Sequence, residues 1–194
     1  MEDKKKAILD CAKELFSTKG FKDTGVADIT ALAGFSVGTF YNYYPSKDKL
    51  FVEILEQETS GLMKRIMVTI NLDDEPKALI KRLLALNAEG MAENPILKQW
   101  YHPEVYGKIE KLFREEDGLQ AMDFLYRDFL ELVGKWQAEG KIRSDIDSEM
   151  IMAIFGAIIR IGYHKEEIGL KYFPALQDHL TDFVLDGLTR TEKQ

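Results

Sequence analysis

Apolar residues recur three and four positions apart through almost every stretch longer than ten residues, and no alternating Val/Ile/Thr run interrupts them. A repeat near 3.6 gathers such residues on one face of a helix, whereas a half-buried strand needs a repeat of two. The chain is therefore expected to be all-α. At 194 residues it is long enough for a small module joined to a larger one. Punctuation residues divide it into about nine helices. In the first, Ala7, Ile8, Cys11, Ala12, Leu15 and Phe16 share a face, and Lys19-Gly20 stops it. Val26, Ile29, Leu32 and Ala33 line a short second helix that Gly34 ends. Ser36 caps a third helix, which Pro45 closes, and Ser46 caps a long helix running from about Lys47 toward Ile70. Further helices are predicted from Pro76 to about Asn94, in short pieces between Pro95 and Glu116, and from Leu119 to Glu139. Two more cover Met150–Ile159 (MIMAIFGAII), after the polar entry Ser144–Ser148, and Pro174–Leu188.

Composition narrows the class. The run Met150–Ile159 is the longest uncharged apolar stretch and is too short to span a bilayer, so no membrane association is expected. Residues 2–6 (EDKKK) lead into an amphipathic segment, not into a signal-peptide core. The single cysteine, Cys11, excludes an intramolecular disulfide and suits a reducing cytoplasm, the expected location. A net charge of −7 argues against nucleic acid only if it is evenly spread. Residues 1–50 hold eight lysines against seven acidic residues, so the deficit lies in the remainder of the chain. A near-neutral head on an acidic body still binds phosphate if its lysines cluster.

Two short helices joined by a tight glycine turn, within a three-helix unit, describe a helix-turn-helix. Its second helix is predicted over Val37–Tyr44 (VGTFYNYY). Phe40 and Tyr44, four apart, anchor it to the core. Thr39, Tyr41, Asn42 and Tyr43 then point outward, an unusual use of surface unless a ligand docks there. Hydroxyls donate to phosphates, and an Asn amide pairs bidentately with adenine in the major groove. Gly38 lets the helix start approach a backbone closely, where its amides favour a phosphate.

The stretch from Ile8 to Phe51, ILDCAKELFSTKGFKDTGVADITALAGFSVGTFYNYYPSKDKLF, resembles the DNA-binding domain of TetR-family regulators. The likeness rests on LF-x-x-KGF, VADIT-x-LAG-x-S, GTFYNYY and PSKDKLF. It implies an N-terminal helix-turn-helix domain over residues 1–50 and a larger helical ligand-binding and dimerisation domain over 51–194. It further implies a homodimer on a palindromic double-stranded operator, repressing transcription until a small-molecule inducer binds, with no enzymatic activity and no cofactor. Carried over by position, Thr24 would contact phosphate, and Ser36, Val37, Gly38 and Thr39 would lie against the groove. Tyr41 and Asn42 would reach bases or adjoining backbone, while Tyr43 and Lys47 would bind phosphate. Two positions depart from the family pattern: Gly25 stands where Ser or Thr is common, and Val37 where Lys is common. Residues 1–50 also contain no arginine, the usual guanine-reading fork.

In the second half, aromatic residues exceed what short broken helices need, and aromatic-lined cavities between helices commonly hold ligands. Trp100, Tyr101, Phe124, Phe129, Phe155 and Tyr163 are the expected ligand contacts, suited to a flat or hydrophobic inducer. The MIMAIFGAII helix is apolar all round and must be covered on both sides. Paired with the last helix it resembles the four-helix dimer interface of the family, with Phe155, Ile158, Leu176, Leu180, Phe183 and Val184 expected at the contact.

Three features have competing readings. Gly34-Phe35-Ser36-Val37-Gly38 matches the G-x-S-x-G elbow of serine hydrolases, but that elbow needs a strand before the serine, and residues 28–33 read as helix. Lys4-Lys5-Lys6 is either a solvated tail or a phosphate-binding arm. His102, His164 and His179 lack metal-ligand spacing, so no metal is expected. A helical small-molecule carrier with a vestigial helix-turn-helix is the alternative from another class.

Overall fold

The computed structural model describes residues 2–102, 105, 107 and 123–189, and all regular structure among them is helical. The α-helices are α1 (Glu2–Thr18), α2 (Val26–Ala33), α3 (Val37–Tyr41), α4 (Lys47–Thr69), α5 (Pro76–Glu93), α6 (Asp123–Ala138), α7 (Ser148–Ile161), α8 (Lys165–Ile168) and α9 (Ala175–Thr189). Short 3-10 turns cover Leu97–Tyr101, Gly162–His164 and Leu170–Tyr172. No helix among the described residues is long and apolar enough to cross a membrane. The chain divides into two compact units, Met1–Leu62 with Glu89–Ala121 and Met63–Ala88 with Met122–Gln194.

The predicted stops and caps account for most helix ends. Gly20 (φ 86°), Gly34 (φ 71°) and Gly140 (φ 69°) take the left-handed conformation that ends α1, α2 and α6. At the start of α4 the Ser46 hydroxyl accepts the Lys49 N–H at 3.1 Å. At the start of α7 the Asp147 carboxylate accepts the Met150 N–H at 2.7 Å. The lysine triplet Lys4–Lys6 lies within α1 and not in an extended tail.

The first unit is built on the apolar face of α1. Ile8, Ala12, Leu15 and Phe16 are buried there, and Phe16 meets Phe51 of α4 edge to face at 5.1 Å. Phe21 completes the cluster, 4.5 Å from Phe51. Ile29 of α2 and Phe40 of α3 are fully buried, which fixes both helices of the helix-turn-helix. Near the far end of this unit Gly90 of α5 lies so close to Leu62 of α4 that a Cβ would sit 2.2 Å from its Cδ1.

In the second unit α6, α7 and α9 pack around Leu132, Val133, Trp136, Ile151, Phe155, Ile158, Leu185 and Leu188, with Leu79 and Ile80 of α5. The loop between α6 and α7 is organised by Gln137, whose amide donates to the carbonyls of Arg143 (3.0 Å) and Ile146 (2.7 Å). Its carbonyl accepts the Ser148 hydroxyl at 2.9 Å. On the surface Lys81 and Lys77 of α5 pair with Asp182 of α9 at 2.5 and 3.5 Å, and Lys77 also meets Asp186 at 2.6 Å. The Lys81 ammonium, with Lys77 beside it, holds the Asp182 carboxyl below the usual carboxylate range. Such exposed pairs contribute little on their own, typically ~0–1 kcal/mol, so stability in this unit rests on its apolar core. Ile151→Ala, at a fully buried position, is expected to lower unfolding stability by about 2–5 kcal/mol. Denaturant unfolding followed by circular dichroism checks this, and a loss under 1 kcal/mol would contradict it.

Candidate nucleic-acid interface

The helix-turn-helix is shaped by strictly local bonds. Gly25 has no side chain to cap α2, and the structure supplies only the reciprocal half of a capping box, Gly25 N–H to Asp28 Oδ2 at 2.8 Å. At the other end Phe35 N–H returns to the Thr30 carbonyl at 2.9 Å across the left-handed Gly34. Ser36 then starts α3, its Oγ accepting the Thr39 N–H at 3.2 Å and lying 3.0 Å from the Thr39 hydroxyl. The Ser36 hydroxyl is an N-cap between two helices, without the preceding strand a hydrolase elbow requires.

The α-helix at the reading position is shorter than expected. It ends at Tyr41, with Asn42 as its C-cap and Tyr43 in the following turn. The reason lies at Pro45, which disfavours helical geometry at Tyr44. The amides of Tyr43 and Tyr44 both converge on the Phe40 carbonyl at 3.0 Å, tightening the last turn. Phe40 and Tyr44 are buried as predicted. Burial and the neighbouring Glu53 carboxylate push the Tyr44 phenol far above its ordinary range, so it stays neutral. Behind it, Lys5 pairs with Glu53 at 3.1 Å and lies 5.2 Å above the Tyr44 ring.

Ser36, Val37, Gly38, Tyr41 and Asn42 are exposed, with Thr39 and Tyr43 half-buried between them, so these seven share one accessible stretch. Tyr41 keeps 55% of its surface in solvent. Thr24 and Lys47 face inward instead. Thr24 is 1% exposed and its hydroxyl donates to the Gly20 carbonyl at 2.7 Å. Lys47 donates to the carbonyls of Phe21 and Thr24, each at 2.7 Å, and lies 4.2 Å above the Phe21 ring. Two of the three residues anticipated as phosphate contacts, Thr24 and Lys47, thus hold together the connector that leads into α2. On the opposite side of that connector stands Gln99, which the sequence reading did not single out. A glutamine among broken helical pieces carries no pattern that marks it.

The other anticipated residues fall in both units. Trp100 and Tyr101 are half-buried on the 3-10 turn of the first unit. In the second, Phe129 of α6 packs against the cluster holding Phe155, which is 8% exposed. Phe124 lies on α6 and Tyr163 on the turn after α7. Of the residues expected at a dimer contact, Ile158 (4% exposed) and Phe155 belong to the core of their own unit. Leu180 and Val184 pack against that core, and Leu176 is half-buried. Phe183, 71% exposed, projects from α9 with His179 stacked on it at 6.3 Å. Among the described residues no group of histidine, cysteine and acidic side chains is arranged to hold a metal.

A short reading helix held at a fixed angle by a buried partner, beside an accessible amide and phenols, is the architecture of helix-turn-helix regulators. Residues 8–54 match the family model of the bacterial regulatory proteins, tetR family. RutR of Escherichia coli, an HTH-type transcriptional regulator, is 28% identical over 79% of this chain and 71% of its own length. YuxN of Bacillus subtilis, an uncharacterised HTH-type regulator, is 31% identical over 48% of this chain, which spans about a third of that protein (32%). Among solved structures, FadR of Thermus thermophilus, a TetR-family transcriptional repressor in complex with lauroyl-CoA, superposes with a TM-score of 0.66. Its identity is 24%, and 98% of each chain is covered. Residues 8–54 thus carry a helix-turn-helix of the tetR-family type, and the chain shares the all-helical fold of TetR-family regulators, with an N-terminal helix-turn-helix and a helical C-terminal region.

The position of Lys47 leads to a distinct expectation. Lys47→Met removes two charge-assisted bonds to buried carbonyls and should lower stability by about 1.5–3 kcal/mol. An unchanged denaturation midpoint, with only the salt dependence of DNA binding reduced, would assign Lys47 to phosphate instead.

Proposed function

We propose that the protein is a ligand-responsive transcriptional repressor that binds a palindromic operator as a homodimer and is released by a small hydrophobic or aromatic inducer. The observation that carries the DNA-binding part is the accessible stretch Ser36–Tyr43, held in one orientation by buried Phe40 and Tyr44. In this reading residues 1–50 are the DNA-binding domain. Ser36, Val37, Gly38 and Thr39 lie against the groove, Tyr41 and Asn42 reach bases or adjoining backbone, and Tyr43 meets phosphate. Thr24 and Lys47 support that surface from within. Acting on the genome would place the protein in the cytoplasm.

Residues 51–194 bind the inducer and form the dimer in this reading. The exposed Phe183 of α9, with Met150, Ala153 and Ala157 exposed on α7, supports a contact with a second copy. An apolar side chain so exposed is stabilised when a partner covers it. Two copies must present their reading helices about one turn of DNA apart, ~34 Å. Trp100, Tyr101, Phe124, Phe129, Phe155 and Tyr163 remain the inducer contacts of this proposal. The lauroyl-CoA held by the Thermus relative makes a fatty acyl-CoA the first compound to try. Tenfold to hundredfold release requires a coupling of only ~1.4–2.8 kcal/mol between the two sites.

Selection of a duplex from random sequence, followed by binding measurements, tests the reading. Asn42→Ala should cost ~1–3 kcal/mol at one base position, and Tyr43→Ala should weaken binding to all sequences alike. Wild-type affinity in both variants would remove the proposed face. For the dimer, Phe183→Glu places a charge in the contact without touching the core of its own unit. Sedimentation should show the wild type as a dimer at micromolar concentration and the variant as a folded monomer, whereas a wild-type monomer would sink the assignment.

A further inference from the structure

Gln99 is 8% exposed and its side chain reaches back 78 and 83 residues along the chain. Its Nε2 donates to the Phe16 carbonyl at 2.7 Å, and its Oε1 accepts the Phe21 N–H. Phe16 is in the last turn of α1, where its carbonyl also accepts the Gly20 N–H at 3.2 Å, and Phe21 is in the connector to α2. One amide thus bridges a carbonyl and an N–H on either side of the turn that delivers the chain into the helix-turn-helix. The segment carrying Gln99 is itself fastened. Asn94 Oδ1 accepts the N–H groups of Ile96 (2.9 Å) and Leu97 (3.2 Å), and its amide donates to Glu58 of α4 at 2.5 Å. Glu58 also pairs with Lys13 of α1. Ile96 and Leu97 are buried, and the next two residues after Gln99 are Trp100 and Tyr101.

We propose that Gln99 is a positioning residue for DNA binding, whose amide ties the aromatic segment Leu97–Tyr101 to the entry of α2. Displacement at Trp100 or Tyr101 must then either move the α1–α2 connector or break both Gln99 bonds. The inference rests on the regulator reading above and names the contact through which regulation reaches the head. Because coupling between two sites is reciprocal, duplex DNA serves as the probe in place of an inducer.

With Trp136→Phe, Trp100 becomes the single tryptophan of the chain. Adding the selected duplex should shift Trp100 emission in that protein. Gln99→Leu in the same background should abolish the shift and weaken duplex binding about fivefold or more, the lower end of typical coupling between linked sites. Gln99→Glu keeps an acceptor for the Phe21 N–H but sets an oxygen against the Phe16 carbonyl, and should give an intermediate loss; it carries the test alone if the leucine variant does not fold. Exchange of the Phe21 amide in DNA-free protein should quicken in both variants, while amides of α7 and α9 keep wild-type protection. A Trp100 emission that ignores duplex binding, or a full shift in folded Gln99→Leu, overturns the proposal and leaves the regulator reading standing. A wild-type protein that binds no duplex overturns both.

Discussion

The connector between α1 and α2 is the constraint on which the DNA-facing surface depends. Seven residues turn the chain there, and their backbone groups cannot pair with one another as they would inside a helix. The solution is a set of side chains converging on Phe21. Gln99 takes its N–H, Lys47 takes its carbonyl, and Phe16 and Phe51 enclose its ring. Thr24 and Lys47 deal with the carbonyls of Gly20 and Thr24 in the same way. Each buried polar group left without a partner would cost about 1–3 kcal/mol, so the connector is ordered only when these contributions arrive together. Since Gly25 offers no side-chain cap to α2, the start of that helix depends on the connector more than an ordinary cap would require.

This arrangement separates what local sequence can convey from what it cannot. Gly34 and Ser36 were legible because a left-handed glycine and an N-cap serine act on groups two to five residues away. Phe40 and Tyr44 were legible because four-residue spacing puts them on one face. Thr24 and Lys47 were expected at phosphate only because the family resemblance places phosphate contacts at those positions. Their inward orientation depends on carbonyls that only the folded turn brings within reach. Gln99 was invisible for the same reason, its partners lying 78 and 83 residues away. Asn42 illustrates a smaller effect: periodicity continued the helix through it, while Pro45, through its restriction on Tyr44, ended the helix at Tyr41.

The second unit presents the opposite case. Its helices follow from apolar periodicity, and α7 was recognisable as a segment needing cover on both sides. What periodicity could not tell was which apolar residues face their own unit. Phe155 and Ile158 turn toward the core beside Ile151, while Ala153 and Ala157 turn outward with Met150. Small residues on the outward face let another helix approach closely, whereas the large ones fill the interior. The same division holds on α9, where Leu185 and Leu188 are buried and Phe183 is not.

These two kinds of constraint bear differently on regulation. An apolar core such as that around Ile151 resists change because its packing is dense and cooperative, and small shifts within it are costly. A turn held by a few directional bonds behaves otherwise. Breaking the two Gln99 bonds leaves the ring contacts of the Phe16–Phe21–Phe51 cluster in place. A ligand shifts an equilibrium between two arrangements only by the difference in its affinity for them. The modest coupling that release from DNA requires is of the same order as the net worth of one or two hydrogen bonds. A side-chain amide bridging a buried turn is therefore matched in strength to the signal it would carry, which the dense core is not.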